Sequence, residues 1–88
     1  MADVAMTFSV LPEDPSMDLE EMKRNLKDGL EKKCKIAEMS IQEIAFGLKK
    51  IKLVVIVKDE DGQQDMIEEV ASGVKGVGQV DFEDSSLV

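Results

Sequence analysis

Apolar and polar residues alternate almost one for one at the start of the chain: Val4, Met6, Phe8 and Val10 are separated by Ala5, Thr7 and Ser9. That period of two predicts a half-buried strand, stopped by Pro12 and Pro15, which cannot donate to a ladder. The period then changes. Leu19, Met22, Leu26 and Leu30 recur at helical spacing with Lys23, Arg24, Lys27 and Asp28 between them, and Asp18 followed by Glu21 reads as a capping-box-like start. This helix is expected to end between Gly29 and Cys34. From Lys35 to Gln42, Ala37, Met39 and Ile41 alternate with Ile36, Glu38 and Ser40, which predicts a second strand. Leu48 to Lys58 is rich in β-branched residues. Ile51, Leu53, Val55 and Val57 fall on one face and Lys50, Lys52, Val54 and Ile56 on the other, the pattern of a central strand. Asp59 to Gly62 reads as a turn. Met66, Ile67, Val70, Ala71 and Val74 stripe a second helix, broken by Gly73, Gly76 and Gly78. Val77, Val80 and Phe82 mark a short last strand, and the polar tail EDSSLV is expected to be loose.

The order β-α-β-β-α-β, with right-handed crossovers, predicts an α+β fold: a ferredoxin-like split β-α-β sandwich with a four-stranded antiparallel sheet and two helices on one face. With 88 residues and no repeat or linker, one domain over residues 1–88 is expected. A composition of 43% hydrophobic and 34% charged residues is that of a folded chain. The net charge of −8, from 19 acidic and 11 basic residues, argues against nucleic-acid binding, whose affinity comes from neutralised phosphates. The central strand also lacks the aromatics on which an RNA-recognition module stacks bases. A lone cysteine, Cys34, allows no internal disulfide and suits a reducing compartment. The N-terminal MADVAMTFSVLPEDP has no signal-peptide pattern, and no apolar run approaches the ~18 residues of a membrane span. The expectation is a cytoplasmic protein without a membrane role.

Catalytic chemistry is hard to build from these residues. There is no histidine, one cysteine, and a single arginine, Arg24, on a helix face. The usual neutral-pH base and the commonest metal ligand are therefore missing, and no catalytic residue, cofactor or metal site is expected. Asp59, Asp61, Gly62 and Glu68 do fall at the third, fifth, sixth and twelfth positions of an EF-hand loop. Val57 stands in the first position and cannot ligate, and a strand precedes the loop, so the acids read as a turn beside a helix N-terminus, which the helix dipole favours.

The charge is uneven. Ile44 to Lys58 carries Lys49, Lys50, Lys52 and Lys58 and no acid, whereas nine acids follow from Asp59 to Val88 against Lys75. At the start of the basic stretch, EIAFGLKKI (residues 43–51) puts Phe46 next to Gly47 in the connection between two strands. Phe8 and Phe82 are in phase with strand alternation and read as core. Phe46 has two readings: a plug at the sheet edge, or a projecting aromatic anchor flanked by lysines that meet a partner's acids.

The stretch IAFGLKKI resembles the nucleotide-exchange domain of translation elongation factor 1-beta, in its archaeal single-domain form. The opening strand and LPEDP turn, the strand IKLVVIVKDEDG, the helix with its EE pair and the closing GVGQVDFED extend the likeness over essentially the whole chain. The resemblance implies a guanine-nucleotide exchange factor, not an enzyme, that promotes GDP release from, and GTP reloading of, elongation factor 1-alpha. It implies a protein partner, no cofactor, and a chain that is monomeric when free. It also implies that Ile44, Ala45, Phe46, Gly47, Leu48, Lys49 and Lys50 bind the partner, with Phe46 entering a hydrophobic pocket. Two departures stand out. Glu43 occupies a position where the family usually has proline, and the end DSSLV lacks the C-terminal lysine of eukaryotic members. Strand alternation puts Lys49 and Lys50 on opposite faces. The rival reading is a small ferredoxin-like regulatory module that binds a metabolite or self-associates through its open sheet face.

Overall fold

The computed structural model describes residues 2–88. Those residues form β1 (Asp3–Pro12), α1 (Leu19–Leu30), β2 (Lys35–Ala45), β3 (Leu48–Lys58), α2 (Gln63–Ser72) and β4 (Val77–Leu87). The strands lie in the order β2-β3-β1-β4, each neighbouring pair antiparallel. α1 therefore links β1 to β2 across β3, and α2 links β3 to β4 across β1. This is the ferredoxin-like α+β arrangement that the periodicity predicts.

The core lies between the helices and one face of the sheet. α1 starts where the Asp18 carboxylate accepts the backbone N–H groups of Glu20 and Glu21, at 3.0 and 3.4 Å. It buries Leu19, Met22, Leu26 and Leu30. α2 adds Ile67 and Ala71, and β3 adds Ile51, Leu53, Val55 and Val57. Each large apolar side chain removed from water in this way contributes about 1.5–3 kcal/mol before entropy is counted. No helix among the described residues is long and apolar enough to cross a membrane.

β2 and β4 each carry two extra residues, Ala37 and Ile44 in β2 and Gly78 and Glu83 in β4, and those at Ala37 and Glu83 interrupt the alternation within the strands. In β2, Ile36 pairs with Val55 but Glu38 pairs with Val54, so Ala37 is left over. This bulge turns Ile36, rather than Ala37, toward the core with Met39 and Ile41, and leaves Ala37 exposed. In β4, Phe82 pairs with Phe8 but Asp84 pairs with Thr7, so Glu83 is left over. Both acids thereby stay in solvent.

The tail is also not loose. β4 runs on through Ser85 and Leu87, opposite Met6 and Val4, and the Val88 N–H donates to the Asp3 carbonyl at 3.0 Å. An edge strand with one wet face accepts a polar sequence, because the backbone ladder and not the side chains holds it.

Candidate functional site: the β2–β3 hairpin

Ala45 pairs with Leu48, so only Phe46 and Gly47 make the turn between β2 and β3. Both have positive φ, 48° and 82°. That is the signature of a type I′ hairpin turn, whose twist matches the flanking strands. Asn or Gly normally takes the first central position. A bulky side chain there is a backbone outlier, costing about 1–3 kcal/mol. Gly47 is needed for its backbone and not for space, because a Cβ there would meet nothing within 4 Å.

The strain brings no packing in return. Phe46 is 103% exposed, and Ile44 and Leu48 beside it are 49% and 47% exposed. The reading of Phe46 as a plug at the sheet edge is therefore set aside: its ring stands in solvent. The exposed ring gains nothing on folding and its strained backbone opposes it, so folding does not explain this residue.

The tip is carried on an arm. The β1–β3 register ends at Val10↔Ile51, while the β2–β3 ladder continues through Gln42↔Lys50, Glu43↔Lys49 and Ala45↔Leu48. Between the arm and the LPEDP turn lies a groove of about 280 Å³, lined by Leu11, Pro12, Pro15, Met17, Ile44 and Leu48, with Lys49 as its charged member. The turn itself is fixed. The Asp14 carboxylate accepts the Ser16 N–H and hydroxyl, both at 2.9 Å, which holds its pKa below the ordinary carboxylate value. The Glu13 N–H donates to the Gly76 carbonyl at 2.9 Å.

The two lysines after the turn part company. Lys49 is exposed and forms no ion pair with another described residue. Lys50 lies across the open sheet face. Its Nζ donates to the Ser9 Oγ at 2.9 Å and stands 3.5 Å from a Glu83 carboxylate oxygen. The Ser9 hydroxyl donates to that same carboxylate. The Ser9 bond is the main cause that lowers the Glu83 pKa; Lys50 and Lys52 add to it, and partial burial opposes it.

Residues 5–88 match the family described as the EF-1 guanine nucleotide exchange domain. The chain belongs to that family. It is similar to elongation factor 1-beta of Thermoplasma volcanium, at 46% identity, and of Thermoplasma acidophilum, at 39%, in each case over 88 residues and 100% of both chains. It is 37% identical over 84 residues to elongation factor 1-beta of Natronomonas pharaonis, covering 96% of each chain. The resemblance to elongation factor 1-beta of archaea thus extends over the whole length of the chain.

In this exchange-domain chain the residues singled out by sequence form two groups. Ile44, Ala45, Phe46, Gly47, Leu48 and Lys49 are exposed together at the hairpin tip, whereas Lys50 is half-buried and laid back over the open sheet face. Sequence reasoning passed over the LPEDP residues as a groove wall, although two prolines beside a strand end hint at a rigid edge. It also passed over Ser9 and Glu83, which are 74 residues apart and gave no local signal.

Proposed function

We propose that this chain is a guanine-nucleotide exchange factor for translation elongation factor 1-alpha, promoting GDP release and GTP reloading during polypeptide elongation. On this reading it works in the cytoplasm as one exchange domain over residues 1–88, monomeric when free, without a cofactor and without catalytic residues. Ile44, Ala45, Phe46, Gly47, Leu48 and Lys49 form its partner-binding tip. Family membership supports the reaction. The observation that carries the site is Phe46: a fully exposed aromatic on a strained type I′ turn.

The mechanism needs no reacting group. A factor that binds the nucleotide-free partner more tightly than the nucleotide-bound one weakens nucleotide binding by the same ratio. Phe46 serves as a wedge complementary to the open state alone. Burying its ring is worth about 1.5–3 kcal/mol. Felt only in the open state, that loosens the nucleotide roughly 10- to 150-fold. The two-residue turn matters because a preformed wedge loses little entropy on docking. Lys49, without an ion-pair partner among the described residues, supplies a positive charge at the rim to steer an acidic partner surface.

The test is release of a fluorescent GDP analogue from elongation factor 1-alpha, alone, with the native chain and with Phe46→Ala. Strong acceleration by the native chain and little by the variant is expected. No acceleration at any concentration of the native chain would refute the exchange reading. Equal acceleration by both proteins would refute the role of Phe46.

A further inference from the structure

The hairpin arm raises a mechanical question. Beyond Val10↔Ile51 it leaves the sheet as a two-stranded ribbon. Isolated two-stranded ribbons are only marginally ordered in water. A wedge on such an arm loses its aim, and small misplacements weaken any function that depends on fit.

One side chain ties the arm down. Lys50 lies four residues from Phe46 and is the first residue of β3 beyond the pairing with β1. Its Nζ reaches Ser9 on β1 at 2.9 Å and Glu83 on β4 at 3.5 Å, and Ser9 bonds to Glu83. Three adjacent strands are therefore joined at one point. Ser9 at the centre of the junction is only 5% exposed, while the Lys50 and Glu83 side chains on either side keep 25% and 43% of their surface in solvent. The bulge in β4 leaves Glu83 outside the ladder pairing, free to serve it. Neighbouring lysines do not do this. Lys52 stands 3.7 Å from Glu38 on β2, a contact within the β2–β3 pair itself. Lys49 lines the groove on the other side of the arm.

We propose that Lys50 is a positioning residue: clamped by Ser9 and Glu83, it holds the base of the arm against the sheet and so sets the direction in which Phe46 meets the partner, without touching the partner itself. The proposal rests on the exchange reading above. It departs from the expectation, drawn from the resemblance, that Lys50 binds the partner together with Lys49. It also makes a demand that a direct contact does not: removing the cation or removing its anchor disables the same device, so the two losses do not add.

The experiment pairs two measurements on Lys50→Met, Glu83→Gln, Ser9→Ala and the Lys50→Met/Glu83→Gln double variant. The first is acceleration of fluorescent GDP-analogue release from elongation factor 1-alpha. The second is backbone 15N relaxation of the isolated protein, which reads the order of residues 44–48 without any partner. Lys50→Met and Glu83→Gln are each expected to lower acceleration about tenfold. The double variant should be no worse than the weaker single. Amide order should fall at 44–48 while the rest of the chain keeps its native values. Two results overturn the proposal: Lys50→Met failing while Glu83→Gln and Ser9→Ala exchange like the native chain, which makes Lys50 a direct contact, or unchanged order at 44–48 in every variant. Phe46→Ala, run alongside, keeps the questions apart. If it exchanges normally the anchor reading fails, yet the relaxation data still decide whether the clamp exists.

Discussion

Phe8 and Phe82 meet edge to face across β1 and β4, with ring centroids 5.6 Å apart and planes at 69°. The two residues are direct ladder partners, so this contact fastens the edge strand to the centre of the sheet. Phe8 is fully buried and Phe82 partly so. Phe8→Ala is expected to cost about 3–5 kcal/mol. Phe82→Leu keeps most of the apolar area and should lose about 1 kcal/mol, the value of the aromatic pairing itself. Urea unfolding of the two variants checks the ranking.

The turn should show stability and activity moving in opposite directions. Phe46→Gly removes a side chain from a left-handed backbone position and should stabilise the chain by about 1 kcal/mol. That raises Tm by about 4–8 °C for a chain of this size. The same variant should lose nucleotide exchange. Gly47→Ala goes the other way: its new methyl has room but sits at φ 82°, and it should lower Tm.

Gly78 is a tight spot of a different kind. It is the extra residue where the β1–β4 register shifts between Leu11 and Pro12. A Cβ there would lie 2.9 Å from the Glu13 Cα and 3.0 Å from the Pro12 carbonyl oxygen. Both are backbone atoms, so neither can swing aside. Gly78→Ala is expected to cost about 1–3 kcal/mol through this overpacking. Thermal unfolding checks it, and a cost near zero would contradict the packing described.

Glu83 gives a pH dependence with a defined sign. Its pKa is lowered in the folded chain, first by Ser9 and then by the two lysines. The interaction therefore stabilises the fold above the ordinary carboxylate value of 4.5 and is lost as pH falls through the lower folded value. With 43% of the Glu83 side chain exposed, solvent screens the pairing and the effect is modest. Native protein and Glu83→Gln, unfolded by urea at pH 7 and pH 3, should differ more at the higher pH. Asp14 contributes with the same sign and remains in both proteins.

The sequence announced the interior better than the edges. β3 was legible because Ile51, Leu53, Val55 and Val57 alternate without interruption, and α1 because Asp18 and the Leu19–Leu30 stripe agree. Phe46 stood out because an aromatic beside a glycine has no place in either periodicity. The phase of Ile36 and Ala37 was not legible: a bulge is set by the pairing partner, and Val54 and Val55 lie far along the chain. The strand at EDSSLV was hidden for a related reason. Its order comes from backbone bonds to β1, and its side chains carry little of the signal that marks a strand. The Lys50–Ser9–Glu83 contact depends on three strands meeting, which no local window contains.

The breaks at Ala37 and Glu83 fall on the two outermost strands of the sheet. Each interrupts the regular row of amide and carbonyl groups that a visiting strand would need to match. Growth of the sheet by recruitment of neighbours is thus discouraged at both borders. For a small, sheet-rich chain with an uncovered aromatic at its tip, this guards against fibre formation. The irregularities that defeated simple alternation also help to keep the protein in solution.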